Sequence, residues 1–150
     1  MKIRYLNLGC GNNPLPAEDF DNHDITKHRE EINIVFDLNK FPYPIEDESY
    51  DQVHCYDVLE HLDNPLKVMN EIHRILKPHG RFKAKCCGWE NPNLWVDITH
   101  KRGFDINSMD YFDPETELGK IYSYYTSRKW KIENKHYDKR QNAHFIMRKI

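Results

Sequence analysis

Apolar positions along this chain fall in short runs broken by turn-forming residues, and one stretch repeats them at helical spacing. Runs rich in β-branched and aromatic residues, several bounded by Gly, Pro, Asn or Asp, predict strands over residues 3–8, 20–24, 32–37, 50–55, 81–87, 130–137 and 143–149. Between the fourth and fifth of these, Leu66, Val68, Met69, Ile72, Ile75 and Leu76 share one helical face, while Lys67, Asn70, Glu71, His73 and Arg74 take the other. The pattern predicts a helix over 65–77, capped by Asp63 or Asn64 with Pro65 in its first turn and stopped by Pro78 and Gly80.

Strand, helix and strand joined by short connections imply a parallel sheet with right-handed crossovers, so the first five strands are expected to be doubly wound in a Rossmann-like α/β fold. Residues 138–142 alone separate the last two strands, which makes them a hairpin and turns one of them antiparallel.

Composition narrows this little. A chain of 150 residues has room for one domain and one sizeable core. Its formal net charge of −2 argues against a surface that coats nucleic acid. No apolar run approaches the ~20 residues that span a bilayer. The start, Met1-Lys2-Ile3-Arg4, lacks the apolar stretch of a leader, so a cytoplasmic protein is expected. Cys10, Cys55, Cys86 and Cys87 show no C-x-x-C spacing and read as small buried hydrophobes, so no metal site is expected.

Leu6-Asn7-Leu8-Gly9-Cys10-Gly11 breaks the first strand into a glycine turn, where open α/β sheets bind nucleotide-like ligands; a plain tight turn has the same local pattern. Asp24 and Asp37 close the second and third strands at the same end of the sheet. A carboxylate there accepts both ribose hydroxyls of a nucleoside, and an Asp that merely bonds its own backbone would stand there equally well.

The ordered series Leu6-Asn7-Leu8-Gly9-Cys10-Gly11, Asn22-His23-Asp24-Ile25, residues 35–51, Val58-Leu59-Glu60-His61-Leu62, Arg74-Ile75-Leu76-Lys77-Pro78-His79-Gly80 and residues 97–104 resembles the small class I S-adenosylmethionine-dependent methyltransferases over residues 3–112. The resemblance implies a seven-stranded sheet with one antiparallel edge strand. It also implies S-adenosylmethionine as cofactor and S-adenosylhomocysteine as product. Leu8, Gly9, Cys10 and Gly11 would hold the methionine end, Asp24 the ribose, and Asp37 and Leu38 the adenine. Cys55 and Tyr56 would lie near the sulfonium, with His61 closing that end of the pocket. The reaction implied is displacement at the methyl carbon by an oxygen, nitrogen or carbon nucleophile, largely a matter of alignment. His61 and His100 are the candidate bases, each with an orienting or capping role as the plainer account.

An acceptor is expected to be chosen by residues 89–125. They carry Trp89, Trp95, Phe104, Tyr111, Phe112, Tyr122, Tyr124 and Tyr125 with Lys101 and Arg102, although the same rings would serve to fill the second face of the sheet. A small molecule is preferred; the basic hairpin around Lys129, Lys131, Lys139 and Arg140 would admit RNA or merely guard a sheet edge.

Departures from the family pattern are as informative. Asn7 stands where an acidic residue is usual, and Asn13 where a third glycine is usual. With Met1 a residue or two ahead of the first strand, no N-terminal covering helix is expected, and residues 12–20 are too few for a crossover helix. Either a homodimer that covers that face or an open, weaker cofactor site is expected. The rival reading is a non-catalytic S-adenosylmethionine-binding or interaction protein. A nicotinamide dehydrogenase would want a helix opening on a third glycine, which Asn13-Pro14-Leu15-Pro16 does not provide.

Overall fold

A computed structural model describes residues 3–150; Met1 and Lys2, on which the leader reading partly rests, lie outside them. Strands β1 (Tyr5–Leu8), β2 (Phe20–Asp24), β3 (Ile32–Val35), β4 (Tyr50–Tyr56), β5 (Leu76–Cys87), β6 (Trp130–Tyr137) and β7 (Asn142–Lys149) form one sheet in the order β3-β2-β1-β4-β5-β7-β6. The first five pair in parallel, and β7 runs antiparallel to both β5 and β6. The antiparallel strand is therefore one place in from the edge, which β6 occupies, rather than at the edge itself.

Helix α1 (Pro65–Ile75) connects β4 to β5. Of the two predicted caps Asn64 serves, its side chain accepting the Lys67 N–H at 3.0 Å. Val68, Met69, Ile72 and Ile75 are wholly buried in one core with Leu6, Leu8, Val53, Phe82, Trp130 and Phe145. The predicted helix is two residues too long, because Leu76 turns extended and pairs with Tyr50. Residues 77–80 are then absorbed in a register shift before Arg81 pairs with Gln52. His73, placed outward by helical spacing, is buried instead. The start of β6 lies over that flank, so the ring meets Trp130 edge-on at 5.2 Å and bonds the Lys129 carbonyl at 3.0 Å.

The connections β1 to β2, β2 to β3 and β3 to β4 carry no helix. Polar side chains fasten two of them. Asn22, wholly buried, donates to the Leu15 carbonyl at 2.8 Å and accepts the Leu15 N–H at 2.9 Å and the Asn7 amide at 3.0 Å. Asn7 also reaches the Asn13 carbonyl at 3.4 Å. The asparagine that departs from the family pattern thus straps down a connection too short for a helix. Farther on, Arg74 donates to the carbonyls of Tyr43 and Ile45, while Glu71 accepts the Tyr43 N–H at 2.7 Å, pinning residues 43–47 to α1. Helix α2 (Glu117–Ile121) is short and lies in the long segment between β5 and β6.

Candidate functional site

The glycine turn is built on two left-handed residues, Gly9 (φ 63°) and Gly11 (φ 54°). A Cβ on Gly9 would stand 2.4 Å from Val58 Cγ2, so that position is closed to a side chain by its φ and by the neighbouring 58–62 turn. The turn's N–H groups are all spent inside the protein. Gly9 donates to His23 Nδ1 at 3.1 Å, Cys10 to the His23 carbonyl at 2.8 Å, and Gly11 to Asp24 Oδ2 at 2.7 Å. His23 in turn donates from Nε2 to the Phe36 carbonyl at 2.9 Å, which fixes its tautomer, and burial pushes its pKa down. The Gly9 carbonyl has no hydrogen-bond partner among the described residues, so the turn offers a ligand an acceptor and room rather than donors.

Three adjoining clefts lie over the carboxyl ends of β1, β2, β4 and β5. One of about 320 Å³ is lined by Gly9, His23, Asp24, Phe36, Asp37, Leu38, Asn39, Asp57, Val58, His61 and Leu62. A second, about 330 Å³, has Asn7, Gly9, Cys10, Asn13, Tyr56, Asp57 and Lys85. A third, about 240 Å³, has Asp57, Glu60, Lys85, Cys87, Asn91, Asn93, His100, Arg140 and Asn142. Asp57 borders all three from a left-handed backbone (φ 59°). Its N–H bonds the Lys85 carbonyl and its carboxylate pairs with Lys85 Nζ, both at 2.8 Å.

The residues expected around a cofactor divide accordingly. Gly9, Asp24, Asp37, Leu38 and His61 line the first cleft; Gly9, Cys10 and Tyr56 line the second. Leu8 and Cys55 are core residues whose side chains line none of the three, and burial pushes the Cys55 thiol far up. Gly11 acts through its N–H on Asp24. Asp24 also bonds the Ile25 N–H through Oδ1 at 2.7 Å, and Asp37 bonds the Asn39 N–H through Oδ1 at 2.9 Å. Both therefore form the local turns that the plainer account foresees. Each carboxylate oxygen keeps a further lone pair, so the turn and a ligand can share the group.

The third cleft is polar where an aromatic wall was expected. Phe104 and Phe112 are buried in the core, Trp95 and Tyr124 are exposed, and Tyr111, Tyr122, Tyr124 and Tyr125 pack against one another, Tyr111 stacked on Tyr125 and Tyr124 edge-on to it. Lys101 pairs with Asp63, and Arg102 donates to the Leu62 carbonyl, so these two cations clamp the 58–63 turn rather than face a ligand. Glu60, Asp57, Lys85, Asn91, Arg140 and Asn142 were not foreseen. Glu60 is 1% exposed; its Oε1 accepts the Cys87 N–H at 2.9 Å, its Oε2 has no partner, and burial raises its pKa. Asn142 and Cys87 come together through β5–β7 pairing, which no local spacing announces.

A family model described as "Methyltransferase domain" matches residues 15–84, from the β1–β2 connection into β5. Over those residues, a little under half of the chain, the sequence is similar to the methyltransferases that this model describes. The chain superposes on a solved S-adenosylmethionine-dependent methyltransferase from Archaeoglobus fulgidus with a TM-score of 0.68 and 14% identity, over 97% of this chain and 86% of that one. A methyltransferase solved with the Haloferax volcanii Trm112 methyltransferase activator gives 0.67 and 13%, over 98% and 82%. The YcgJ protein of Bacillus subtilis gives 0.64 and 15%, over 99% and 92%. At such identities the likeness is one of fold. No curated protein matches the sequence.

The similarity to methyltransferases implies S-adenosylmethionine as cofactor, and the residues present fit it. A cleft carrying two carboxylates with spare lone pairs suits a ribose and an adenine amine, and the unpartnered Gly9 carbonyl suits an ammonium. No helix among the described residues is long and apolar enough to cross a membrane.

Proposed function

We propose that residues 1–150 act as one catalytic unit that methylates a small polar acceptor lodged in the third cleft. S-adenosylmethionine, when bound, supplies an electrophilic methyl group on a sulfonium, which leaves as S-adenosylhomocysteine in an in-line displacement. Asp24 would receive the ribose hydroxyls, Asp37 and Leu38 the adenine, and the Gly9 carbonyl the methionine ammonium. Cys10, Tyr56 and Asp57 would border the methionine end. The observation that carries the reading is the sharing of Asp57 and Lys85 between the second and third clefts, which gives cofactor and acceptor a common boundary.

Acceptor selection would rest on charge and hydrogen bonding. Lys85 and Arg140 favour an anionic group, Asn91 and Asn142 take donors or acceptors, and the unpartnered Glu60 Oε2 wants an N–H or O–H. Leaving Glu60 unmatched would penalise an acceptor without such a donor. His61 and His100 stand where the first and third clefts meet and, with no ion bound to them, would supply lone pairs toward an acceptor's proton.

Calorimetry with S-adenosylhomocysteine tests the cofactor half. Asp24→Ala should weaken binding by at least about 100-fold, since charge-assisted hydrogen bonds contribute about 1.5–3 kcal/mol each and the Gly11 anchor is lost as well. Unchanged affinity would remove the ribose assignment. A screen of anionic hydroxyl and amine compounds for S-adenosylhomocysteine release tests the acceptor half. Cofactor binding without turnover on any class would favour a binding protein.

A further inference from the structure

We propose that His61, His100 and Asp97 form a site for one divalent first-row transition-metal ion of the zinc type, set between the cofactor and acceptor clefts. One ligand atom from each of the three lies within 4.8 Å of the others.

Proton accounting orients the two rings. The Thr99 hydroxyl has one proton and donates it to Asp97 Oδ1 at 2.6 Å. Toward His61 Nδ1, at 2.9 Å, the same oxygen can only accept, so Nδ1 carries the ring proton and Nε2 is left with a lone pair. His100 Nδ1 lies 2.7 Å from the Leu94 carbonyl, which accepts only, so His100 also keeps its lone pair on Nε2. Asp97 Oδ1 takes the Thr99 N–H as well, at 2.9 Å, which leaves Oδ2 free, 3.9 Å from His100 Nε2. Each imidazole thus keeps a lone pair on Nε2 and Asp97 a free Oδ2, in a cluster whose ligand atoms lie within 4.8 Å of one another. A cation answers all three at once, which neither one proton nor the two hydrogens of one water can do.

The outer contacts are those that metal-bound histidines use. A hydroxyl tied to a carboxylate and a main-chain carbonyl hold the Nδ1 protons and fix both rings. Two imidazoles and a carboxylate suit zinc(II) and its neighbours, at about 2.0–2.2 Å from each donor. Closing the set to that range takes a movement of about 1 Å, and Asp97 sits between Val96 and Ile98, both largely exposed, on a loop free to make it. Three protein ligands leave a position open to an acceptor heteroatom. His61 borders the cofactor cleft and His100 the acceptor cleft, so an ion held by both would adjoin the two.

The inference stands apart from the methyl-transfer reading. Tag-free protein is titrated with zinc chloride by calorimetry and with cobalt(II) by visible absorption, alongside separate S-adenosylhomocysteine titrations and thermal melts of every variant. One equivalent of zinc and a tetrahedral or five-coordinate cobalt spectrum are expected. Asp97→Ala and His100→Ala should each weaken binding by at least about tenfold and Thr99→Val by about tenfold, with melting unchanged in Asp97→Ala because its side chain is half exposed. His136→Ala should change nothing; its stacked partner His144, with Asp138 beside it, is the surface alternative. Absence of saturable binding, or loss of binding in His136→Ala but not in Asp97→Ala, overturns the site. S-adenosylhomocysteine binding by the wild type fails or succeeds independently of either result.

Discussion

The half of the sheet formed by β1, β2 and β3 and the half formed by β4, β5, β7 and β6 are held together by different physics. Around β4 and β5, α1 buries Val68, Met69, Ile72 and Ile75 against Phe82, Trp130 and Phe145, and stability comes from apolar area removed from water. Around β1 and β2 no helix covers the connections, and their place is taken by the Asn7–Asn22–Leu15 strap and the His23 bridge from Gly9 to Phe36. Hydrogen bonds depend on direction as apolar contacts do not. The polar half therefore couples stability directly to the shape of the cofactor cleft, whereas the apolar core of the other half lies away from that cleft and reaches it only through residues 56–62 and Lys85.

The largest expected effect falls in the apolar half. Ile72→Ala should cost about 3 kcal/mol in urea denaturation, the usual penalty for emptying a fully buried aliphatic site. The folded protein should still bind S-adenosylhomocysteine with its original affinity. Asn22→Ala should cost less, about 2 kcal/mol, by stranding the Leu15 backbone and the Asn7 amide, yet it should weaken S-adenosylhomocysteine binding by about tenfold. Equal cofactor affinities in the two variants would erase the distinction.

The shape of the sheet was readable from the chain because its strands are β-branched and aromatic runs bounded by turn residues, and because Asn64, Pro65 and the apolar face of α1 mark a helix with a definite start. Its end was not, since Pro78 and Gly80 look like a stop signal and in fact lie in a register shift within β5. Gly9, Asp24 and Asp37 were marked by the strand-end pattern, and Leu38 and His61 by the family resemblance alone; all five line the first cleft. Glu60, Asn91, Arg140 and Asn142 were not. They are drawn together only by the pairing of Cys87 with Asn142, a contact across more than fifty positions. His73 was misplaced because helical spacing sees one helix and not the strand that will lie across it.

The smallest effect is one of pH. His23 and His73 are held neutral, their pKa values pushed down by burial, and His54 is pushed down to about 4 for the same reason. The unfolded chain takes up protons near pH ~6.5 and the folded chain does so only at lower pH, so stability is complete above ~6.5 and is lost as the pH falls toward 4. Protonation of His23 would also put a hydrogen on the nitrogen that accepts the Gly9 N–H. Urea midpoints and S-adenosylhomocysteine affinity measured at pH 7.5 and pH 5 should both fall, affinity by the larger factor if the polar half is the one that shapes the cleft.

Strand β7 follows β6 in the chain yet lies between it and β5. During synthesis β6 leaves the ribosome with no neighbour to join, and the free edge of β5 waits for a strand not yet made. The wall that carries Arg140 and Asn142 thus forms only once β7 has been made, and until then the chain would carry open edges at both β5 and β6 and need protection from pairing with other chains.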